Sequence, residues 1–455
     1  MAKISRRDFN KLSTGGVALG LGGVVTGTVP SVVRAASGGE SVSISGTAGR
    51  PAELPGPKGH RVVVVGGGWS GLTIAKYLKV NDPNLDVVLI EKKSVFASHP
   101  ISNLWLAGLT GLETLVHSYL DAAANNGYIY FNASLIDLDR SARRVFTDQG
   151  WLDYDDLVLA PGVDYEYASF GVDDPEAIQL LKTRYPAAVA SASEHVSLYH
   201  KVNGFKGGIF LLTAPPGIYR CSAAPYERAC MIASVFKRRN IKGKVVLVDS
   251  REEPAVKADG FVAAFDELYA DQIEYMTSTG VSGVDPFNRT LTTDFDDIEF
   301  ADAAIYPRTR GARLLEHLGL ADAKSAQMEA SIDHFTYNVT LSGRVDQHVY
   351  IAGDCRPMPF SKSGNTARTE AKYLAKLIAA RASGKEAAWE SPHTICYSVV
   401  NADPLEAIMV NGKYKFDEAS KQWEHHENYA LNERDEEKGQ NAFAWADEHY
   451  QDMFG

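Results

Sequence analysis

The clearest pattern of apolar and polar positions lies between Arg61 and Glu91. Val62 to Val65 form a β-branched run that is too short for a helix, so it predicts a strand buried on both faces. Leu72 to Leu78 have the apolar spacing of a helix packed on a sheet, and Asp86 to Ile90 predict a second strand. This order of strand, helix and strand predicts a parallel α/β sheet.

Between the first strand and the helix, three glycines stand in the spacing G-x-G-x-x-G, at Gly66, Gly68 and Gly71. Such glycines let backbone amides and the helix N-terminus approach a pyrophosphate. Glu91 ends the second strand, where its carboxylate can accept hydrogen bonds from an adenosine ribose, and Lys92 is assigned to the same site. The alternative is an ordinary glycine-rich turn. Because strand, helix and terminal acid are all present, the sequence predicts dinucleotide binding.

Two further short apolar runs, which begin at Tyr154 and Val349, end in glycine-containing turns. These turns contain Ala160 and Gly162 in the first run, and Gly353 and Asp354 in the second. Both resemble fingerprints of the glutathione-reductase-like flavoproteins, an α/β class with two dinucleotide-binding domains. The resemblance implies FAD as the cofactor, and it implies that Asp354 binds the ribityl and phosphate region of FAD.

Flavoproteins of this class usually insert a second nucleotide-binding domain between the two fingerprints. Gly208 to Thr213 and Lys244 to Asp249 predict its strands, but the intervening turn reads Ala-Pro-Pro-Gly at 214–217. Prolines lack the backbone N–H groups that a pyrophosphate needs. We therefore expect a degenerate second domain that binds no NAD(P)H.

Cys221 stands in place of the second phosphate loop, and Cys396 lies far away in the segment HTICYS. Together with APPGIYRCSAAPYERA, IAGDCRPMPFSKSGNTARTEAK and WADEHYQDMFG, this segment resembles the flavoprotein subunit of flavocytochrome c sulfide dehydrogenases. The resemblance runs from about Arg61 to the last residue. It implies that Cys221 and Cys396 form a redox-active disulfide, with Cys396 nearer the flavin and Cys221 carrying a persulfide. Glu227 would be a nearby acid or base.

The same resemblance implies sulfide as the substrate and a c-type cytochrome subunit as the partner that receives electrons. Hydrosulfide can open a disulfide, and a thiolate beside the flavin can pass electrons to FAD. The alternatives are a structural disulfide or buried thiols for the two cysteines, and a surface cap or ion pair for Glu227. Two other functions stay open: sulfide:quinone oxidoreduction, and an accessory thiol-disulfide flavoprotein of sulfur-compound oxidation.

Four more residues are assigned to the flavin site. His99 stands where family members commonly carry a cysteine that anchors FAD; we expect noncovalent FAD, with a covalent link through His99 as the alternative. Gly364 lies at a predicted helix N-terminus that would face negative charge on reduced flavin, with Lys362 beside it; helix capping is the alternative. Trp445 matches an aromatic near the family's flavin, and a core aromatic is the alternative.

The first residues contain SRRDFNK, followed by a weakly apolar, glycine-rich run with small residues at Ala35 and Ala36. This resembles a twin-arginine export signal and predicts removal of residues 1–36 and a periplasmic location. A membrane anchor is the alternative, against which the glycines weigh. Residues 1–36 hold five Lys or Arg and one Asp, so their removal changes the formal net charge from −11 to −15. Such an acidic protein suits a basic protein partner better than nucleic acid or an anionic membrane.

The remaining chain divides into a discontinuous FAD domain at 58–172 and 316–384, a second nucleotide-type domain at 173–315, and a C-terminal α+β interface domain at 385–455. No later apolar run is long enough to span a bilayer. Four cysteines are too few for a disulfide scaffold, and Cys230 is expected in a core, while Cys355 is assigned no role. Neither Cys-x-x-Cys-His nor a metal-ligand spacing occurs, so we expect no c-type haem on this chain and no metal.

Overall fold

The computed structural model of the protein describes residues 46–455 apart from Ser191. The predicted export signal lies outside the described residues, so it stays a prediction. The helices of the described part are α1 (Trp69–Asn81), α2 (Ser102–Leu106), α3 (Tyr119–Asn126), α4 (Pro175–Arg184), α5 (Ala192–Gly204), α6 (Ala224–Arg238), α7 (Ala258–Leu268), α8 (Arg313–His317), α9 (Gly364–Ala382) and α10 (Glu436–Phe454).

The strands before α7 are β1 (Arg61–Val65), β2 (Asp86–Ile90), β3 (Val95–Ala97), β4 (Val116–Ser118), β5 (Ile129–Phe131), β6 (Leu135–Asp139), β7 (Arg144–Thr147), β8 (Gly150–Asp153), β9 (Asp156–Leu159), β10 (Val163–Glu166), β11 (Gly208–Ala214) and β12 (Gly243–Asp249). Those after α7 are β13 (Ile273–Met276), β14 (Val281–Asp285), β15 (Thr290–Thr293), β16 (Asp297–Glu299), β17 (Asp302–Ala304), β18 (Arg308–Gly311), β19 (Asn338–Leu341), β20 (Arg344–Ile351), β21 (His393–Ala402), β22 (Leu405–Asp417) and β23 (Gln422–Asp435).

A six-stranded sheet, in the order β19-β20-β9-β1-β2-β5, carries the glycine-rich turn. Its neighbours pair in parallel, except for the antiparallel edge pair of β19 and β20. All of β1 is buried, which confirms the prediction of a first strand covered on both faces, and all of β2 is buried as well. Helices α1 and α9 pack against each other beside this sheet. The mixed α/β architecture with parallel sheets confirms the predicted fold class.

A second, four-stranded sheet repeats the same construction in the order β13-β12-β11-β17, with every neighbouring pair parallel. Helix α6 connects β11 to β12 and is buried along most of its length. The strand–helix–strand unit of the first sheet therefore has a counterpart built from β11, α6 and β12.

The C-terminal region forms an antiparallel sheet, β21-β22-β23, against which α10 packs. Helices α6 and α7 lie against β21, so this sheet adjoins the second parallel sheet. No helix of the described residues is long and apolar enough to cross a bilayer.

The carboxyl ends of four parallel strands, β1, β2, β9 and β20, meet at one edge of the six-stranded sheet. Open α/β sheets bind their ligands in the crevice at this edge. Gly66, Glu91 and Ala160 directly follow β1, β2 and β9, and Gly353 is the second residue after β20. The topology thus brings together glycines and an acid that are distant in sequence.

Candidate functional site

A large cavity opens at the carboxyl ends of these four strands and extends to α6 and β21. Its empty space, including part of its open mouth, is about 1610 Å³. Its lining includes most of the residues that the sequence assigns to the site: Gly66, Gly68, Glu91, His99, Ala160, Gly162, Cys221, Glu227, Gly353, Asp354, Gly364, Cys396 and Trp445. Residues from the FAD-type domain, the second domain and the C-terminal sheet therefore face one space.

The glycine-rich turn is shaped by close backbone contacts on one side and by open space on the other. Gly66 has a φ of +102°, and a Cβ there would stand 2.4 Å from the carbonyl oxygen of Ala160. A Cβ on Gly68 would meet no atom within 4 Å, and Gly68 lines the cavity. The turn therefore requires glycine at Gly66 for packing and leaves room for a ligand at Gly68.

Glu91 holds the turn from the neighbouring strand. Its Oε2 accepts a hydrogen bond from the Gly67 N–H at 2.7 Å, and its Oε1 accepts one from the Lys93 N–H at 2.8 Å. These contacts fix the carboxylate at the edge of the cavity, where a ribose would lie. Lys92 and Lys93 are both exposed, but only Lys93 lines the cavity.

One carboxylate oxygen of Asp354 is bound to the protein, and the other is available to a ligand. Its Oδ2 accepts a hydrogen bond from Arg220 Nε at 2.6 Å, while its buried Oδ1 has no hydrogen-bond partner among the described residues. Burial disfavours the carboxylate, but the charges of Arg220, Lys362 and Arg356 outweigh burial and hold the pKa of Asp354 below its usual value. An ionised acceptor therefore faces the cavity. Arg220 directly precedes Cys221 in the segment APPGIYRCSAAPYERA, but the sequence analysis assigned it no role.

Other lining residues also carry buried polar atoms without a hydrogen-bond partner in the described part of the chain. They are Trp69 Nε1, Ser70 Oγ, His99 Nδ1 and Trp445 Nε1. Orphaned polar groups are rare in folded proteins, so a cluster of them around one cavity indicates a polar ligand. Together with the space at Gly68 and the free Asp354 oxygen, they fit a dinucleotide such as FAD. The Trp69 and Trp445 rings stack at a centroid distance of 5.8 Å.

His99 stacks on a second histidine that the sequence analysis missed. The His99 and His195 ring centroids lie 5.3 Å apart, with 19° between the ring planes. Burial lowers the pKa of His195 to about 3 and lowers that of His99 well below its usual value. Both imidazoles are therefore neutral at pH 7, and both line the cavity. The only signal for His195 is its place on the buried face of α5.

Cys221 occupies a strained position directly before α6. Its φ is +58°, which a non-glycine residue rarely adopts, and its N–H donates to the Lys362 carbonyl oxygen at 2.7 Å. Burial raises the pKa of the Cys221 thiol, with the nearby Cys396 and Glu227 adding to the shift. Cys221 and Cys396 both line the cavity. All four cysteines are free thiols in this structure.

Cys396 lies on β21, opposite Val410 of β22. Its Sγ accepts a contact from the Nζ of Lys257 at 3.5 Å. The same ammonium donates to the Cys396 carbonyl oxygen and to the Ser398 hydroxyl. Lys257 is another site residue that the sequence analysis missed, since no local pattern distinguishes it.

Glu227 lies in the first turn of α6 and is fully committed to polar partners. Its Oε2 accepts from Asn103 Nδ2 at 2.8 Å, and its Oε1 accepts from the Val399 N–H at 2.9 Å. Burial raises the pKa of Glu227 above its usual value. The carboxyl group is thus held between α2, α6 and β21, in the cavity that both cysteines line, and its raised pKa makes it a stronger base than an ordinary carboxylate.

Three residues assigned to the cofactor do not line the cavity. Gly71 lies inside α1, where a Cβ would stand 1.8 Å from a backbone oxygen of the glycine-rich turn, so its role is close packing of helix and strand. Lys92 points to solvent, as described above. Lys362 is buried, and its Nζ donates to Glu329 Oε1 at 2.6 Å and to two carbonyl oxygens. Its charge is paired within the protein, so Lys362 holds the backbone of the site.

The second strand–helix–strand unit is closed by protein groups where the first is open. Asp249, at the end of β12, is fully buried and accepts hydrogen bonds from Tyr226, Tyr275 and Arg251. The Arg251 guanidinium also donates to the carbonyl oxygens of Pro215 and Gly217. The turn 214–217 therefore presents carbonyls that are bound to a cation, not free amides.

The two other cysteines do not line the cavity. Cys230 is fully buried in the core on α6, as expected, and Cys355 donates to the Ala352 carbonyl oxygen. Within the described residues, no cluster of three or more His, Cys, Asp or Glu side chains could hold a metal ion.

Comparisons with protein families match two parts of the chain. The family described as "Sulfide dehydrogenase [flavocytochrome c] flavoprotein chain, central" matches residues 198–306, and "Pyridine nucleotide-disulphide oxidoreductase" matches residues 60–185. A sulfide dehydrogenase flavoprotein chain from Chlorobaculum thiosulfatiphilum is 54% identical over 43 residues, which are 10% of this chain and 90% of that sequence.

Longer matches are to quinone-reducing relatives at lower identity. A sulfide-quinone reductase from Aquifex aeolicus is 23% identical over 235 residues, and a mitochondrial sulfide:quinone oxidoreductase from Mus musculus is 24% identical over 191 residues. These matches cover 50% and 42% of this chain, and 52% and 41% of the relatives, so the chain spans about half of them or less. The solved structure of the Aquifex aeolicus sulfide:quinone oxidoreductase superposes with a TM-score of 0.68 at 16% identity, covering 86% of this chain and 90% of that one. The two folds are alike.

Proposed function

Because the chain belongs to the sulfide dehydrogenase and sulfide:quinone oxidoreductase family of flavoprotein oxidoreductases, we propose that it oxidises sulfide with bound FAD and a redox pair, Cys221 and Cys396. One observation carries the proposal: both cysteines line the same cavity as the glycine-rich turn and Asp354. A thiol pair at a flavin is the arrangement that two-electron sulfur chemistry requires.

The cavity residues divide the work of holding FAD. The turn at Gly68 would receive the pyrophosphate, Glu91 would receive the adenosine ribose, and the free Asp354 oxygen would accept from the ribityl hydroxyls. Bound FAD supplies an acceptor for two electrons from the cysteine pair. We expect no covalent link at His99, so acid precipitation should release the flavin into the supernatant.

In the proposed reaction, Glu227 accepts the proton of the substrate and Cys221 binds its sulfur. Glu227 takes the proton of hydrogen sulfide, because burial holds its pKa above the usual carboxyl range. Hydrosulfide then attacks a sulfur of the oxidised pair and breaks the disulfide. Cys221 keeps the incoming sulfur as a persulfide, and Cys396 becomes the thiolate.

We propose that the electron acceptor is a c-type cytochrome in the periplasm, either a subunit of the same complex or a separate partner. Two observations support it: the central-domain family is that of a flavocytochrome c chain, and the short relative of 54% identity is named as such a chain. The predicted twin-arginine signal suits this location. Fractionation of cells that express the full chain, with Arg6 and Arg7 changed to Lys as a control, tests export.

A quinone is the second candidate acceptor. It is favoured by the longer matches to sulfide:quinone oxidoreductases and by the likeness to the Aquifex aeolicus structure. The two candidates predict different acceptors for the same half-reaction.

The experiment that tests the proposed function is steady-state sulfide oxidation by the purified holoprotein with either cytochrome c or a short-chain quinone. Reduction of cytochrome c that depends on sulfide and on Cys396 supports our proposal. Reduction of quinone alone supports the second candidate. If the holoprotein reduces neither cytochrome c nor quinone when sulfide is added, both candidate functions are contradicted.

A further inference from the structure

Lys257 is a buried lysine whose ammonium lies against Cys396. Its Nζ donates to the Ser398 hydroxyl at 2.7 Å, to the Cys396 carbonyl oxygen at 3.1 Å and to Cys396 Sγ at 3.5 Å. An ammonium has three N–H donors, so these three acceptors use all of them.

No carboxylate of the described residues contacts this ammonium, although Glu227 is near enough for the charge of Lys257 to oppose the burial that raises the pKa of Glu227. Among the described residues, no Asp or Glu forms an ion pair with Lys257, and the hydroxyl and the carbonyl oxygen are neutral acceptors. A buried cation is costly without a counter-charge. Of its three acceptors, only the Cys396 sulfur can become an anion.

The backbone holds both Lys257 and Cys221 in the left-handed conformation, which non-glycine residues adopt at a cost. Lys257 directly precedes α7 with a φ of +55°, and Cys221 has a φ of +58°. Such strain in a non-glycine residue persists only where the surrounding structure enforces it, and it clusters at functional sites. Helix α7 packs against β21, so Lys257 and Cys396 are held by adjoining elements.

The two cysteines stand in unequal environments. Burial raises the pKa of the Cys221 thiol, and the charge of Lys257 opposes that shift only in part. Cys396, by contrast, has the ammonium in direct contact with its sulfur. The site therefore favours negative charge on one particular sulfur of the pair.

We propose that Lys257 is the counter-charge of the Cys396 thiolate and thereby sets which sulfur leaves when sulfide opens the Cys221–Cys396 disulfide. The inference rests on the proposed function. The hydrosulfide sulfur bonds to Cys221 Sγ, the S–S bond breaks, and its electron pair goes to Cys396 Sγ. The products are a persulfide on Cys221 and a thiolate on Cys396, so the single negative charge moves from hydrosulfide to the sulfur beside Lys257.

The first arm of the test needs no sulfide. The reduced holoprotein is treated with iodoacetamide at pH 7, and modification of Cys396 is followed by peptide mass spectrometry. Lys257→Met should slow this modification about tenfold or more, because the thiolate is the reacting form, while Lys257→Arg should stay within about threefold of the unsubstituted protein. Lys257→Gln, which can still donate to Ser398, replaces the Met variant if that one does not fold.

A matched control comes from the same domain. Lys201 is half-buried and pairs with Asp302, away from the cavity, so Lys201→Met should leave the modification rate of Cys396 unchanged. Equal rates for Cys396 in the unsubstituted protein and both uncharged Lys257 variants would overturn the proposal. An equal slowing in Lys201→Met would overturn it too.

The second arm locates the persulfide. Oxidised protein is mixed with sulfide, trapped with the alkylating reagent and mapped by mass. The unsubstituted protein should carry the extra sulfur on Cys221, and Lys257→Met should spread it over both cysteines; an unchanged distribution contradicts the proposal. Failure of the proposed sulfide oxidation can be distinguished from failure of the Lys257 proposal. In the first case, the unsubstituted protein would form no persulfide and would lose no flavin absorbance on addition of sulfide, whatever the alkylation rates.

Discussion

The two strand–helix–strand units of this protein share a topology but differ in their turns. In the first, three residues (66–68) connect β1 to α1, and Gly68 opens into the cavity. In the second, nine residues (215–223) connect β11 to α6. The longer connection carries Cys221 to the cavity that the first unit forms.

The terminal acids of the two units differ in the same way. Glu91 ends β2 and lines the cavity, whereas Asp249 ends β12 and is fully buried among two tyrosines and Arg251. The first unit keeps its polar groups available for a ligand, and the second uses them to hold itself together. The topology of the second unit thus serves to position Cys221 at the cavity.

The largest expected effect tests whether Cys221, which the second unit positions, is needed for reduction of the flavin by sulfide. Cys221→Ser and Cys396→Ser should each slow sulfide-dependent loss of flavin absorbance by about a thousandfold or more, because a hydroxyl can neither form the disulfide nor leave as readily as a thiolate. Stopped-flow absorbance measures the rate. The flavin content should stay unchanged, and Cys230→Ala, in the core of α6, should keep the rate. A sulfide response that survives in Cys396→Ser contradicts the account.

The next effect separates packing from ligand space within the first unit. Gly66→Ala should lower the free energy of unfolding by about 2–4 kcal/mol, because its φ of +102° and the 2.4 Å approach to the Ala160 oxygen leave no room for a Cβ. Gly68→Ala should change stability by less than about 0.5 kcal/mol yet lower the flavin-to-protein ratio, since its Cβ fills ligand space. Urea unfolding and flavin absorbance measure the two effects, and a full flavin content in Gly68→Ala would place the pyrophosphate elsewhere.

A smaller effect on stability is expected when the Arg251 contacts that close the turn of the second unit are removed. Arg251→Ala should lower the free energy of unfolding by about 1–3 kcal/mol, because the buried Asp249 and two turn carbonyls lose a charged donor. Arg313→Ala, at an exposed arginine, should change it by less than about 0.5 kcal/mol. NADH should still fail to reduce the flavin in Arg251→Ala, because the prolines of the turn offer no N–H; reduction by NADH would mean that Arg251 merely blocks a working site.

The smallest effect is a pH dependence of the folding stability that comes from His195, a residue of the second domain that lines the cavity. Burial lowers the pKa of His195 to about 3, so between that value and about 6.5 the unfolded chain binds a proton that the folded chain does not. Stability should therefore fall as pH drops below 6.5, by up to about 1.4 kcal/mol per pH unit from this residue. Denaturant unfolding between pH 5 and 7 should show a shallower slope for His195→Phe, while His200→Gln, at an exposed position of the same helix, should leave the slope unchanged.

Local rules explain which features could be predicted from the sequence. The buried run of Val62 to Val65 and the spacing of Gly66 and Gly68 are set by neighbours in the chain, and the structure agrees with both. Cys221 and Cys396 could be assigned only by resemblance, because 175 positions separate them along the chain.

Contacts between distant segments explain what could not be predicted. Lys257 reaches Cys396 across 139 positions and Arg220 reaches Asp354 across 134. Lys257 stands in no motif, and Arg220, although it directly precedes Cys221, carries no local sign of its pairing with Asp354. Lys92 and Lys93 are adjacent and chemically equal, so only the course of the backbone after β2 decides that Lys93 faces the cavity. Lys362 was assigned to the flavin for its charge, but Glu329, which pairs with it, lies in a different segment.

The most direct test of the central claim is an anaerobic titration of the purified holoprotein, in which flavin absorbance is recorded after addition of sulfide in one cuvette and NADH in another. The account predicts loss of absorbance with sulfide and none with NADH, because the reactive cysteines face the flavin cavity while the second turn offers no nucleotide site. Loss of absorbance with NADH and none with sulfide would contradict it.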